Sequence, residues 1–146
     1  VMLGYYKMPE ETKEMFTEDG WLKTGDIGEL TEDNQLFITG RVKNLIILSN
    51  GENVSPEAIE KKFADNQLVS EVLVYGEKDR IIAEIYPDYE YAKLEGIDDV
   101  QGELEKAVDR MNKTAKAAHI ISEVRVRTEP LEKTGSGKIK RKATVL

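Results

Sequence analysis

At 146 residues, with 40% hydrophobic and 34% charged content, the chain has the make-up of a soluble globular protein, with room for one ordinary core or two small ones. The absence of cysteine excludes disulfides, thiolate nucleophiles and Cys-based zinc sites, and a single histidine, His119, excludes a multi-histidine metal centre. A net charge of −7 argues against general affinity for nucleic acid, and no apolar run approaches the roughly 20 residues that a bilayer span needs.

The opening "VMLGYYKMPEE" lacks the basic then apolar layout of a secretory signal, so the expected compartment is the cytoplasm, with contact at a membrane surface left open. "PEET" at 9–12, followed by Met15 and Phe16, predicts a short helix with proline in its first turn. Short apolar pieces at 27–30 and 36–38, separated by the acidic turn "TEDN", predict an antiparallel hairpin. This first stretch holds too little apolar surface for a core of its own, and it reads as the end of another domain.

From residue 41 onward the pattern becomes self-sufficient. "NLIILSNGENVSP" predicts two short strands joined by an Asn-Gly turn at Asn50 and Gly51. Ser55 is placed to cap a helix that begins at Pro56, carries Glu57 at its positive end, and puts Ile59 and Phe63 on one face. Strands are predicted at 72–75 and 81–86 with a polar turn between them. A helix follows, because Val100, Leu104, Val108 and Met111 share one stripe. A last strand at 123–127 alternates polar and apolar residues, and Pro130 ends it. The predicted fold is α+β: a small mixed sheet of about three core strands plus a two-stranded hairpin, packed with two or three helices and preceded by a short β-rich remnant.

Three segments carry candidate chemistry. "KTGSGKIKRK" at 133–142 holds five cations and no acid in an otherwise acidic chain. It is no phosphate loop of the Walker type, because the required leading glycine falls on Glu132 and the required hydroxyl on Ile139. Its residues fit either a solvated basic tail or a glycine-flanked lysine offered to phosphate or carboxylate oxygens. "KTGDIG" holds Asp26 between glycines, either as a turn-forming aspartate or as an acceptor for the vicinal hydroxyls of a ribose. "GRVKN" sets Arg41 and Lys43 where the composition changes, either as a solvated linker or as cations beside a site. His119 has no neighbouring partner in the sequence and reads as structural or surface.

Taken in order, "GWLKTGDIGEL", "GRVKNLIILSNGENVSPEAIE" and "LEKTGSGKIKR" resemble the C-terminal part of the adenylate-forming acyl-CoA synthetases, the AMP-binding enzyme superfamily. The wording of the middle motif is most similar to the long-chain fatty-acid CoA ligases, and the resemblance extends over essentially the entire chain. It implies that residues 1–42 are the end of a large N-terminal adenylation domain and that 43–146 form a mobile C-terminal domain. By the same resemblance Asp26 and Arg41 are nucleotide-binding, Lys43 is the hinge, Gly51 lies on the loop facing the CoA tunnel, and Lys138 is the catalytic lysine. No residue is assigned to a metal.

The implied reaction joins a fatty acid to coenzyme A through an acyl-adenylate, with ATP and Mg2+ and with the N-terminal domain as partner. Some relatives carry a second active-site lysine on the first hairpin strand, where this chain has Ile47. The family's phosphate loop, adenine-stacking segment and acyl pocket lie upstream of the motifs found here, so this stretch alone is expected to lack ligase activity. An acyl-carrier-protein ligase of the same superfamily is the nearest alternative. A stand-alone binding module with a basic tail is the alternative of another class.

Overall fold

The computed structural model describes residues 2–141, so Lys142, the last cation of the basic run, lies outside the described residues. The chain divides between Lys43 and Asn44 into two compact units.

In the first unit, helix α1 (Pro9–Glu14) starts at proline as its sequence predicts. The Thr12 hydroxyl donates to the Met8 carbonyl and accepts the Tyr5 N–H, tying the helix to the preceding chain. Strands β1 (Asp26–Leu30) and β2 (Leu36–Arg41) form the expected antiparallel hairpin, with a bulge between Ile27 and Gly28. Of the described residues of this unit only Gly40 is buried. Leu30, Leu36, Phe37, Ile38 and Trp21 all stand exposed.

The second unit contains the core. A short hairpin, β3 (Ile46–Ile47) and β4 (Asn53–Val54), leads into α2 (Pro56–Glu60), which tightens into a 3-10 turn at Lys61–Phe63. Ser55 occupies the N-cap without a side-chain bond to the helix N–H groups, and its hydroxyl donates to Glu57. Strands β5 (Val69–Glu77) and β6 (Arg80–Pro87) pair antiparallel through a tight turn in which Lys78 and Asp79 both take positive φ. Helix α3 (Tyr89–Leu94) and helix α4 (Val100–Lys113) then carry the chain across to β7 (Ile121–Val126), which lies parallel to β6. The order β5-β6-β7 makes the small mixed α+β sheet expected from the sequence.

Helix α3 is the element the sequence reading lacks. Its six residues are too few to show a stripe, and the cap that starts it, Asp88 accepting the Tyr91 N–H, becomes visible only once the end of β6 is known.

The predicted stripe of α4 faces the sheet, with Leu104 and Val108 buried and Val100 and Met111 partly so. Asn112, near the end of α4, exchanges two 2.9 Å hydrogen bonds with the backbone of Ile121, which sets where β7 begins. One sheet face, bearing Val74, Ile81, Ala83 and Ile85, packs on Ile46, Ile59, Phe63 and Leu104 in the main core. The period-2 alternation of strands sends Leu73, Tyr75 and Ile82 to the opposite face, where Leu131 and Ile139 cover them. Residues past β7 therefore lie across the second face of the sheet.

Candidate active site

Asp26 and Arg41, singled out from separate motifs, are register partners on β1 and β2. Their side chains pair at 3.1 Å through Arg41 Nε and Asp26 Oδ1. The Asp26 N–H donates to the Thr24 hydroxyl, and the Val42 N–H donates to the carbonyl of Gly25, whose φ of +72° turns the chain into the strand. The result is an acid and a base held side by side at the end of a ladder. The Asp26 side chain stays partly exposed beside Arg41, which leaves its carboxylate able to accept a ligand hydroxyl. Lys43 falls in the 3-10 turn Val42–Asn44, where one unit gives way to the next.

Gly51 and Lys138 occupy turns of one construction. In the loop at 48–52 the Gly51 N–H donates to the Leu48 carbonyl and the Leu48 N–H to the Glu52 carbonyl. In the loop at 134–138 the Gly137 N–H donates to Thr134 and the Thr134 N–H to Lys138 in the same way. The fourth residue of each has positive φ, +81° at Gly51 and +78° at Gly137. These are three-residue hairpin loops, a turn followed by a left-handed residue, so Asn50 and Gly51 do not form the two-residue turn that their dipeptide favours.

The same construction recurs at 17–21, with Gly20 as the left-handed residue, and at 31–35, with Asn34. In the three loops that begin with threonine, its hydroxyl accepts the N–H of the fifth residue: Thr17 from Trp21, Thr31 from Gln35, Thr134 from Lys138. The loop at 48–52 begins with leucine and lacks that support. Asn50 Oδ1 accepts the Glu52 N–H there, and Ser49 is clamped from outside by Asp79.

Lys138 is exposed, and its ammonium has no carboxylate partner among the described residues. The other described cations of the closing segment are paired. Lys133 meets Glu71 at 2.5 Å, Lys140 meets Glu132 at 3.4 Å, and Arg141 grips both oxygens of Glu60 at 2.6 and 2.8 Å, with Glu57 at 3.5 Å. Burial alone would push the Glu71 carboxyl up, but Lys133 and the Leu131 N–H outweigh it and hold it below the ordinary glutamate value. Burial likewise opposes the Arg141 charge, and Glu60 more than restores it. Arg141 is thus anchored and is not part of a solvated basic end.

Nothing local in the sequence pairs Glu60 with Arg141, 81 residues later, or Ser49 with Asp79, 30 residues later. Those anchors follow from strand order, and motif reading passes over them. His119 sits half-buried in a 3-10 turn, Ala117–His119, and donates its backbone N–H to Lys116. No described helix is long and apolar enough to cross a membrane.

Comparison with known proteins adds independent findings. The family model described as the AMP-binding enzyme C-terminal domain matches residues 43–146. Fatty acyl-CoA synthetase A of Dictyostelium discoideum is 44% identical over 92 residues, which are 62% of this chain and 14% of that protein. Long chain acyl-CoA synthetase 1 of Arabidopsis thaliana is 46% identical over 89 residues, 60% of this chain and 13% of that one. Among solved structures, o-succinylbenzoate CoA synthetase from Bacillus subtilis, in complex with its acyl-adenylate intermediate, superposes with a TM-score of 0.74 at 26% identity, covering 95% of this chain and 27% of that chain. The chain spans less than a third of the length of each of these proteins.

Proposed function

The chain belongs to the AMP-binding enzyme C-terminal domain family, and from that premise we propose that it is the C-terminal part of an ATP-dependent long-chain fatty-acid CoA ligase. The observation that carries the reading is Lys138: an exposed, unpaired ammonium at the end of a glycine turn, in a segment whose other described cations are bound to carboxylates. Residues 1–42 are the close of the N-terminal adenylation domain. Their nearly coreless hairpin, with Leu30, Leu36, Phe37 and Ile38 exposed, supports that assignment, because apolar surface of this extent calls for a covering partner.

In the first half-reaction a fatty carboxylate attacks the α-phosphorus of ATP and displaces pyrophosphate. Lys138 bridges the carboxylate and phosphate oxygens, aligning the attack and offsetting the charge that gathers there. Asp26 accepts the ribose hydroxyls through its partly exposed carboxylate, and Arg41 holds that carboxylate in place. Magnesium would enter with ATP as part of that substrate and would supply positive charge to the phosphates; no residue of this chain is assigned to hold it.

Lys138 would obstruct the thiol in the second half-reaction. Rotation of residues 43–146 about Lys43 removes it and brings the Gly51 turn forward to border the pantetheine arm of CoA. The division of the chain between Lys43 and Asn44 supports a hinge at this point.

The test uses the complete ligase that carries this chain. Lys138→Ala is expected to slow pyrophosphate release by about 100- to 1,000-fold, the scale for losing one group that stabilises developing charge, while thioester formation from supplied acyl-adenylate stays within about twofold. Equal loss in both half-reactions would count against the assignment. Residues 1–146 alone are expected to form no acyl-CoA from ATP, fatty acid and CoA.

A further inference from the structure

The segment that carries Lys138 leaves β7, crosses the second face of the sheet and is held on both sides of its glycine turn. Before the turn, Leu131 is 5% exposed and packs on Leu73, Tyr75 and Ile82. There Glu71, from β5, accepts the Leu131 N–H at 2.8 Å and the Lys133 ammonium at 2.5 Å. Lys133 and Ile139 then bridge to close the hairpin, and Ile139 lies against the same apolar patch.

Beyond the turn, Glu60 accepts Arg141 on both oxygens. Glu60 also accepts the Val74 N–H at 2.8 Å, a backbone donor on β5, an outer strand of the sheet. Each acid therefore holds one backbone N–H and one cation of the closing segment. Each also sits on an element whose position the main core sets, since Ile59, Phe63 and Val74 are at most 2% exposed.

We propose that Arg141 and Glu60 form a latch that positions Lys138, making both of them positioning residues for the adenylation step. The inference rests on Lys138 being the adenylation lysine. An untethered segment would have to be ordered in each turnover, against the conformational entropy of its backbone. The latch meets that cost during folding and leaves Lys138 already presented by the domain. Gly135 and Gly137 consequently shape a defined turn and do not serve as swivels, and the lysine enters and leaves the site as its whole domain moves.

The test again uses the complete ligase, with Arg141→Gln, Glu60→Gln, the double variant, Arg141→Lys and Lys138→Ala measured together. Glu60→Gln keeps an oxygen for the Val74 N–H, so strand β5 retains its bond. Each single latch variant is expected to slow pyrophosphate release by about 10- to 100-fold, the scale of a misplaced catalytic group, with thioester formation from supplied acyl-adenylate within about twofold. The double variant is expected to be no slower than the slower single one, and Arg141→Lys to recover part of the loss.

Equal losses in both half-reactions, or additive losses in the double variant, would overturn the latch. Normal adenylation in the latch variants alongside a crippled Lys138→Ala enzyme would overturn it too and leave the lysine assignment standing. Normal adenylation in Lys138→Ala would overturn the assignment itself, and the latch with it.

Discussion

Ser49 gives both of its donors to Asp79: its N–H bonds to Oδ1 at 2.6 Å and its hydroxyl to Oδ2 at 2.5 Å. The pair joins the Gly51 loop to the turn between β5 and β6, so the loop on the small hairpin is fixed to the main sheet. Of the four loops built alike, this one has no threonine at its first position, and it is the one clamped from outside. Asp79 reaches it from a left-handed backbone position, φ +60°, in a two-residue turn that matches the twist of the flanking strands.

The two Ser49 bonds hold the Asp79 carboxyl below its ordinary value of 3.8. A depressed folded-state value means that the clamp stabilises the loop above the ordinary aspartate range and is lost as pH falls through the lowered value. An NMR titration is expected to place the Asp79 midpoint below 3.8, and Ser49→Ala to move it back toward that figure. A midpoint at or above the ordinary value would contradict the bonding described. On the proposed role of the Gly51 loop beside CoA, Asp79→Asn in the complete protein is expected to slow thioester formation by about tenfold, because the loop would be misplaced in that step, and to leave pyrophosphate release nearly unchanged.

Glycine-to-alanine substitutions separate the two glycines of the lysine loop. A Cβ at Gly135, Gly137 or Gly51 meets nothing within 4 Å, so steric clash contributes at none of them. Gly137 and Gly51 have positive φ and Gly135 does not. Chemical denaturation is expected to show Gly137→Ala and Gly51→Ala destabilised by about 1–2 kcal/mol each, the cost of a left-handed L-residue. Gly135→Ala should be neutral or stabilising by a few tenths, since it only restricts the unfolded chain. A larger loss at Gly135 than at Gly137 would refute the turn geometry.

Leu104 carries the packing of α4 on the sheet and is fully buried. Leu104→Ala is expected to cost about 2–5 kcal/mol, the range for truncating a buried leucine, read as a shifted denaturation midpoint. Leu94→Ala, at the exposed end of α3, should change stability by less than about 0.5 kcal/mol.

The pairing of Asp26 with Arg41 makes a prediction for nucleotide affinity. On the proposed nucleotide-binding role of Asp26, Asp26→Ala in the complete protein is expected to raise the KM for ATP by about 10- to 100-fold, hydrogen bonds to a charged group contributing about 1.5–3 kcal/mol. ATP-dependent pyrophosphate release measures it. An unchanged KM would show that the carboxylate serves the hairpin alone.

Much of the fold is legible along the chain because its signals are local. Pro9 and Pro56 open α1 and α2, the four-spaced stripe from Val100 to Val108 marks α4, and the alternation after Glu123 marks the last strand. The candidate residues Asp26, Arg41, Lys43, Gly51 and Lys138 stand out through short motifs for the same reason. Helix α3 escapes because six residues hold less than two turns of periodicity, too few for a stripe to declare itself.

The sequence by itself determined which segments bend, which face of each element is apolar, and that a lysine sits at the end of a glycine turn, since turns and amphipathic faces depend on residues a few positions apart. Only the tertiary structure decided which cations that lysine stands among and what each of them grips. Arg141 finds Glu60, Lys133 finds Glu71 and Ser49 finds Asp79 because strand order brings residues 30 to 81 positions apart into hydrogen-bond range. Among the described residues of the closing segment, those pairings leave Lys138 as the cation without a carboxylate. A run of five like charges contains no signal for which of them the fold will neutralise, because charge pairing is decided by distance through space.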